Sequence, residues 1–234
     1  MKIFKEYIFS SLILIIIISF LFNKLISGSY IFTSGDTLSP MAIKNAIYNY
    51  NSFPLWFPWL FGGMPTVHSL MNVSNYYFPH HIMIFLNNIG FPWFWYFIFH
   101  LVFGGLGMYS LLKYLNQDKF SSLFGAISFM MIPYMITMTA YGHGSQMMTA
   151  SYIPWIILFL FKIYDKNQLI DYAIFSLLVG FQLLRAHIQI SYYTWMMVGL
   201  FSVISGIYIV REKNMNIKHL LKIKIMLLFS LVLG

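Results

Sequence analysis

Cysteine is absent from the chain, which excludes disulfides, thiolate catalysis and any cysteine-ligated metal. Charge is scarce as well: Asp, Glu, Lys and Arg make up 9% of the residues against 59% apolar, a balance foreign to ordinary soluble domains. Carboxylates are the rarer sign, six against fourteen Lys and Arg, for a net charge of +8. On a soluble protein that excess would suggest nucleic acid. Here the cations fall between apolar runs of roughly bilayer-spanning length, where the positive-inside rule accounts for them, so nucleic acid is not an expected partner.

What is abundant is apolar and aromatic. Seven apolar runs occupy 7–26, 91–112, 120–140, 147–164, 169–184, 190–210 and 225–234. The first follows Lys2 and Lys5, is too long for the core of a signal peptide and is not closely followed by a small-x-small cleavage site, so it reads as an uncleaved helix with its N-terminus inside. The last stops at Gly234 in mid-helix, so the chain is expected to be a longer protein truncated at its C-terminus. Between the first two runs, 27–90 mixes Asn, Ser, Pro and Gly with Trp, Tyr and Phe, and is expected outside, carrying short interfacial helices such as Ala42–Tyr50. Pro54 to Pro65 is too proline-rich for a helix, and its Gly62-Gly63 pair suits a tight turn with positive φ; no Gly-Lys-Ser/Thr follows to make a phosphate loop. The six Trp, 17 Tyr and 24 Phe crowd loops and helix ends, as interfacial aromatic belts do.

Charge counting tests this topology. Lys2, Lys5, Lys113, Lys119, Lys162, Lys166, Arg211, Lys213, Lys218, Lys222 and Lys224 fall inside and only Lys24, Lys44 and Arg185 outside, in agreement with the positive-inside rule. The expected fold class is therefore all-α integral membrane, a polytopic helical bundle forming a single transmembrane domain over 1–234.

Glu6, Asp118, Asp165, Asp171 and Glu212 all neighbour lysine or arginine on the inner side, which leaves Asp36, in Ser34-Gly35-Asp36-Thr37, as the one outer carboxylate. It reads either as a turn or helix cap or as a group free for chemistry. His68, His80, His81, His143 and His187 share that outer face with Gln146, Gln189 and Arg185. His68 and the His80-His81 pair sit among aromatics, where a satisfied interfacial ring is the plain reading, and His100, alone in a run, suits a helix–helix hydrogen bond. His219 belongs to a solvated basic face. His143, framed by glycines, and Arg185 with His187 stand out more. An outer arginine opposes the charge rule, and a fixed guanidinium matches phosphate bidentately.

Asp36 after the first run, Pro54-Leu55-Trp56 continuing to Phe61-Gly62-Gly63-Met64-Pro65-Thr66, Gly142-His143-Gly144-Ser145-Gln146 leading to Tyr152-Ile153-Pro154, and His187-Ile188-Gln189-Ile190-Ser191-Tyr192-Tyr193 together resemble the bacterial YfhO membrane-protein family, nearly along the whole chain and in order. The resemblance implies a GT-C-like glycosyltransferase of the bacterial cytoplasmic membrane, taking a sugar from a lipid-linked polyprenyl-phosphate donor and passing it to a cell-envelope glycan or polymer acceptor at the outer face. Asp36 is then the expected catalytic base, with His143, Arg185, His187, Gln189 and His68 as substrate contacts. A divalent metal ion on Asp36 and a histidine is compatible with this, although no spacing demands one. The rival expectations are a transporter or lipid flippase without covalent chemistry, which would place ionisable residues deep in the bilayer and often repeat its span pattern, and a non-catalytic scaffold descended from the enzyme fold.

Overall fold

The computed structural model describes residues 2–32, 56–58, 62–65, 76–212 and 217–234. Asp36, His68 and the candidate helix Ala42–Tyr50 lie outside the described residues. Within them the chain is helical, apart from one short antiparallel pair: β1 (Trp56–Phe57) faces β2 (Met64–Pro65), with Trp56 opposite Pro65. Gly62 and Gly63 return the chain at φ 74° and 115°. A Cβ on Gly63 would stand 2.6 Å from the Trp56 indole nitrogen, so glycine is required there twice over, by conformation and by space.

The helices are α1 (Lys2–Leu21), α2 (Asn23–Ile26), α3 (Phe78–Asn88), α4 (Trp95–Tyr114), α5 (Lys119–Met131), α6 (Pro133–Ala140), α7 (Gly144–Ala150), α8 (Ile153–Lys166), α9 (Leu169–Leu183), α10 (Ile188–Glu212) and α11 (Ile217–Leu233). By length and composition four stretches can cross a membrane: Trp95–Tyr114, Lys119–Ala140, Gly144–Lys166 and Ile188–Gly206. α3 is an additional short helix at the end of the expected outer loop.

α4 lies at the centre. Tyr7 meets Tyr109 with ring centroids 5.5 Å apart and Phe22 meets Phe94 at 5.2 Å, so α1 runs antiparallel to α4. α7 and α8 run parallel to it, with Trp155 stacked 5.5 Å from Phe103 and donating through Nε1 to the Phe103 carbonyl at 2.8 Å. Glycine permits that approach. A Cβ on Gly104 would come within 3.1 Å of Ser151 Cα, and one on Gly107 within 2.6 Å of the Trp155 ring, the small-residue contact by which apolar helices close on one another without a hydrophobic driving force.

Two apolar runs and one basic segment fold differently from what the sequence suggests. Run 120–140 breaks at Ile132, held extended at φ −55°, ψ 137° because the ring of Pro133 excludes the helical region from the residue before it. Run 147–164 begins earlier, at Gly144, and is interrupted at Ser151 and Tyr152; Pro154, in the first turn of α8, has no N–H to offer the Ala150 carbonyl. The expected basic loop 211–224 is helical from Ile217, since Leu220, Ile223 and Leu227 make a buried stripe at helical spacing between its lysines. Elsewhere local signals act as expected from chemistry: Asp118 caps α5 by accepting from the N–H groups of Phe120 at 2.8 Å and Ser121 at 3.1 Å, and Asn167 ends α8 in the left-handed region at φ 50°.

These contacts sort polar residues to two ends. At one, Tyr109 donates to Glu6 at 2.6 Å, Lys113 pairs with Glu6 at 3.6 Å, and Tyr114 donates to Asp165 at 2.8 Å. At the other lie α3, the N-termini of α4, α7 and α10, and the C-terminus of α9.

Candidate functional site

The second end carries the candidate site, and its centre is Arg185. α9 stops at Leu183; the Ala186 amide donates to the Leu183 carbonyl at 2.8 Å while Ala186 itself takes φ 61°, a conformation L-residues adopt rarely. That turn sends Arg185 back into the bundle, where it is 7% exposed. Its Nη1 donates to the Tyr96 hydroxyl at 2.9 Å, and its guanidinium carbon stands 4.8 Å from the Tyr77 ring centroid and 5.4 Å from that of Tyr96. Among the described residues no carboxylate faces it, the single salt bridge being Lys113 with Glu6 at the opposite end. Nε is buried without a partner. A guanidinium taken out of water without a counter-charge costs several kcal/mol, of which two aromatic faces return about 0.5–2 each.

Below the arginine runs a chain of buried polar groups. His100 Nδ1 lies 2.7 Å from the carbonyl of Tyr96 and Nε2 lies 2.7 Å from the Tyr77 hydroxyl. A carbonyl only accepts, so Nδ1 carries the proton and a neutral His100 receives at Nε2 from Tyr77. Tyr77 in turn receives from Tyr152. The polar order is Tyr152 to Tyr77 to His100 to the backbone. Because Arg185 occupies a lone pair of the Tyr96 oxygen, the Tyr96 hydrogen is not spent on that bond. Burial, with Tyr152 beside it, pushes the Tyr77 phenol far above its ordinary range, so Tyr77 keeps the hydrogen it donates.

His80, on α3, closes the cage from the other side, its ring 5.4 Å from Trp93 and 5.7 Å from Tyr96. The sequence suggested a satisfied interfacial ring. Instead Nδ1 is buried with no hydrogen-bond partner, because α3 presses the imidazole onto aromatic faces that offer no acceptor. Burial first, then the positive charge of Arg185 and then His81, hold His80 below the ordinary histidine range.

The sequence therefore marked Arg185 as unusual, gave His100 as a helix–helix hydrogen bond and His80 as a satisfied interfacial ring, and left Tyr77, Tyr96 and Tyr152 without a role, since each looks like a member of an aromatic belt. One signal was available: Tyr96 and His100 are four residues apart on α4, hence on one face of it.

The remaining candidates separate. His143 stands at the start of α7 and His187 at the start of α10; His187 is half-buried with Nδ1 unpartnered, and burial chiefly, with the charge His143 can carry as a further contribution, depresses its basicity. Gln189 is exposed and donates to Tyr193 at 2.9 Å, while Gln146 donates to Tyr134 at 2.7 Å. Both pairs edge an open groove of about 440 Å³ floored by Ala150, Ile153, Ile190 and Met197. So Arg185 and Gln189, two residues expected to share a site, face different spaces. Gln182, fully buried, donates to the Thr149 carbonyl at 3.2 Å and to Thr194 at 3.0 Å, tying α9 to α7 and α10 beneath both. Among the described residues no three of His, Asp and Glu converge as metal ligands.

The fold and this site define a helical protein with four stretches long and apolar enough to cross a membrane and, at one end, a buried cation with no carboxylate against it among the described residues. Comparison with family models, with characterised proteins and with solved structures finds no match for the chain.

Proposed function

We propose that the chain is a GT-C-like membrane glycosyltransferase of the bacterial cytoplasmic membrane, with its N-terminus inside, moving a sugar from a polyprenyl-phosphate donor to a cell-envelope acceptor at the outer face. One observation carries this reading: Arg185 is buried among Tyr77, Tyr96 and His80 with no carboxylate against it among the described residues, an arrangement suited to an anionic group delivered by a ligand. The resemblance in Phe61-Gly62-Gly63-Met64-Pro65 and its companion motifs supplies the reaction type. In that reaction the acceptor hydroxyl gives its proton to Asp36 and its oxygen bonds to the anomeric carbon, while the carbon–phosphate-oxygen bond breaks and its electron pair leaves with the polyprenyl phosphate. Arg185 and the Tyr96 hydroxyl meet the charge that collects on that phosphate.

The rival reading is transport of an anionic lipid without covalent chemistry. The Tyr152–Tyr77–His100 chain, buried among helices, is the feature that favours it. Sugar incorporation into envelope material by cells making each variant at matched membrane levels separates the two. Asp36→Asn keeps the side-chain shape and removes its basicity, so transfer should fall about 10²–10⁴-fold, and Arg185→Lys should weaken use of the donor through loss of the guanidinium fork. Near wild-type incorporation by Asp36→Asn would remove the proposed base and with it the enzyme reading.

A further inference from the structure

The cage holds one imidazole that the proposed reaction does not use. His80 is half-buried, its Nδ1 has no partner, and it packs edge-on to Tyr96, the residue that receives the Arg185 hydrogen bond. Around this point stand three hydrogen-bond resources: the buried Nε of Arg185, the Tyr96 hydrogen and the His80 ring. The groups that face His80 are Arg185 from the end of α9, Tyr96 and Trp93 from α4 and its N-terminal turn, and His81 from α3 itself. Tyr77 and His100 form the next layer, tied to one another and to Tyr96 as described. No described carboxylate belongs to either layer.

We propose that His80, Arg185 and Tyr96 form one phosphate-binding site in which His80 takes up a proton as the phosphate binds. This deepens the reading of Arg185 as the donor-phosphate contact and rests on it. The reason is reciprocal linkage. With the site empty, burial and the neighbouring guanidinium both oppose a charge on His80; a bound anion reverses the second effect and supplies the acceptor that the ring lacks. A proton that helps the anion bind must itself be held more tightly by the bound form. The affinity for a phosphate therefore rises as pH falls, by up to about tenfold per pH unit for one linked proton.

The test is binding of a phosphodiester to the full chain in nanodiscs of neutral phosphatidylcholine, from about pH 8 to about pH 5.5, the range in which a histidine changes charge. Short-chain phosphatidylglycerol is the probe, because its phosphate does not titrate there, and inorganic phosphate is run in parallel. Trp93 lies 5.4 Å from His80, so its fluorescence reports protonation of the ring alongside the titration. Wild type should bind the lipid probe more tightly at low pH. His80→Gln, which remains polar, and His80→Phe, which keeps a ring against Trp93 and Tyr96, should both bind with an affinity independent of pH, while His81→Gln keeps the wild-type slope. Tighter binding of inorganic phosphate than of the lipid, with the same slope and the same loss in His80→Gln, would support the site and identify free phosphate as the source. A flat wild-type profile accompanied by loss of binding in Arg185→Met would overturn the His80 coupling and leave the arginine contact standing. Equal binding by wild type and Arg185→Met would overturn both.

Discussion

The direction of the buried hydroxyl chain makes a quantitative prediction about two substitutions that look alike. Tyr152 donates to Tyr77, and Tyr77 donates to His100. In Tyr152→Phe the Tyr77 hydrogen keeps its acceptor, so only one neutral hydrogen bond is lost, worth about 0.5–1.5 kcal/mol. His100→Phe removes the final acceptor. Tyr77, fully buried, can then turn its hydrogen toward Tyr152, but whichever hydroxyl yields keeps a donor with no acceptor in this chain, and the Tyr96 carbonyl loses its imidazole partner too. An orphaned buried donor costs about 1–3 kcal/mol on top of the lost bond. His100→Phe should therefore be the more damaging by about 1–3 kcal/mol, which for a chain of this size is a gap in midpoint of about 2–12 °C. Thermal unfolding of each variant in the same detergent, followed by tryptophan fluorescence, measures that gap. In the double variant two bonds are lost and only the Tyr77 hydrogen is orphaned, so the double loss should equal the sum of the single losses to within about 0.5 kcal/mol. A Tyr152→Phe midpoint at or below that of His100→Phe would refute the assigned direction.

Gly107→Ala should destabilise by about 1–3 kcal/mol by crowding Trp155 off the Phe103 carbonyl, whereas Gly199→Ala, where no atom lies within 4 Å of the added carbon, should leave the midpoint unchanged or raise it; the same unfolding assay compares them. His80 and His187 both have basicity depressed mainly by burial, so the folded state disfavours their protonation. Their contribution to stability is complete above the ordinary histidine value of about 6.5 and is lost as pH falls below it; the midpoint of the ligand-free protein should drop on acidification, and His80→Gln with His187→Gln should flatten that drop. Ser145→Cys should react with a membrane-impermeant thiol reagent in intact cells if the Arg185 end faces outward, and reaction only after permeabilisation would invert the topology.

Much of the helix plan is legible in the sequence because apolar runs of bilayer length mark where helices lie; the breaks at Pro133 and Pro154 were local signals that the run lengths obscured. Arg185 is legible for another reason, its placement against the distribution of the other cations. The cage around it is not. Tyr77, Tyr96 and Tyr152 lie 75 residues apart at their extremes, and each taken singly has the composition expected of any membrane-interface aromatic; only packing of α3, α4 and α8 turns them into partners. The separation of Gln189 from Arg185 was hidden for the same reason. Their nearness in sequence spans a turn at Ala186, and it is the turn that points one side chain inward and leaves the other on the groove.

The bond from Tyr109 to Glu6 joins residues 103 positions apart, and this spacing is also an interval of time. A ribosome adding about 5–20 residues per second delivers Tyr109 and then Lys113 about 5–20 s after Glu6. Among the described residues, no partner for the α1 carboxylate and no aromatic face for Tyr7 is made in that interval. The first helix made thus waits for α4 before it is fastened, and an agent that shields Glu6 during synthesis would act on it before α4 arrives.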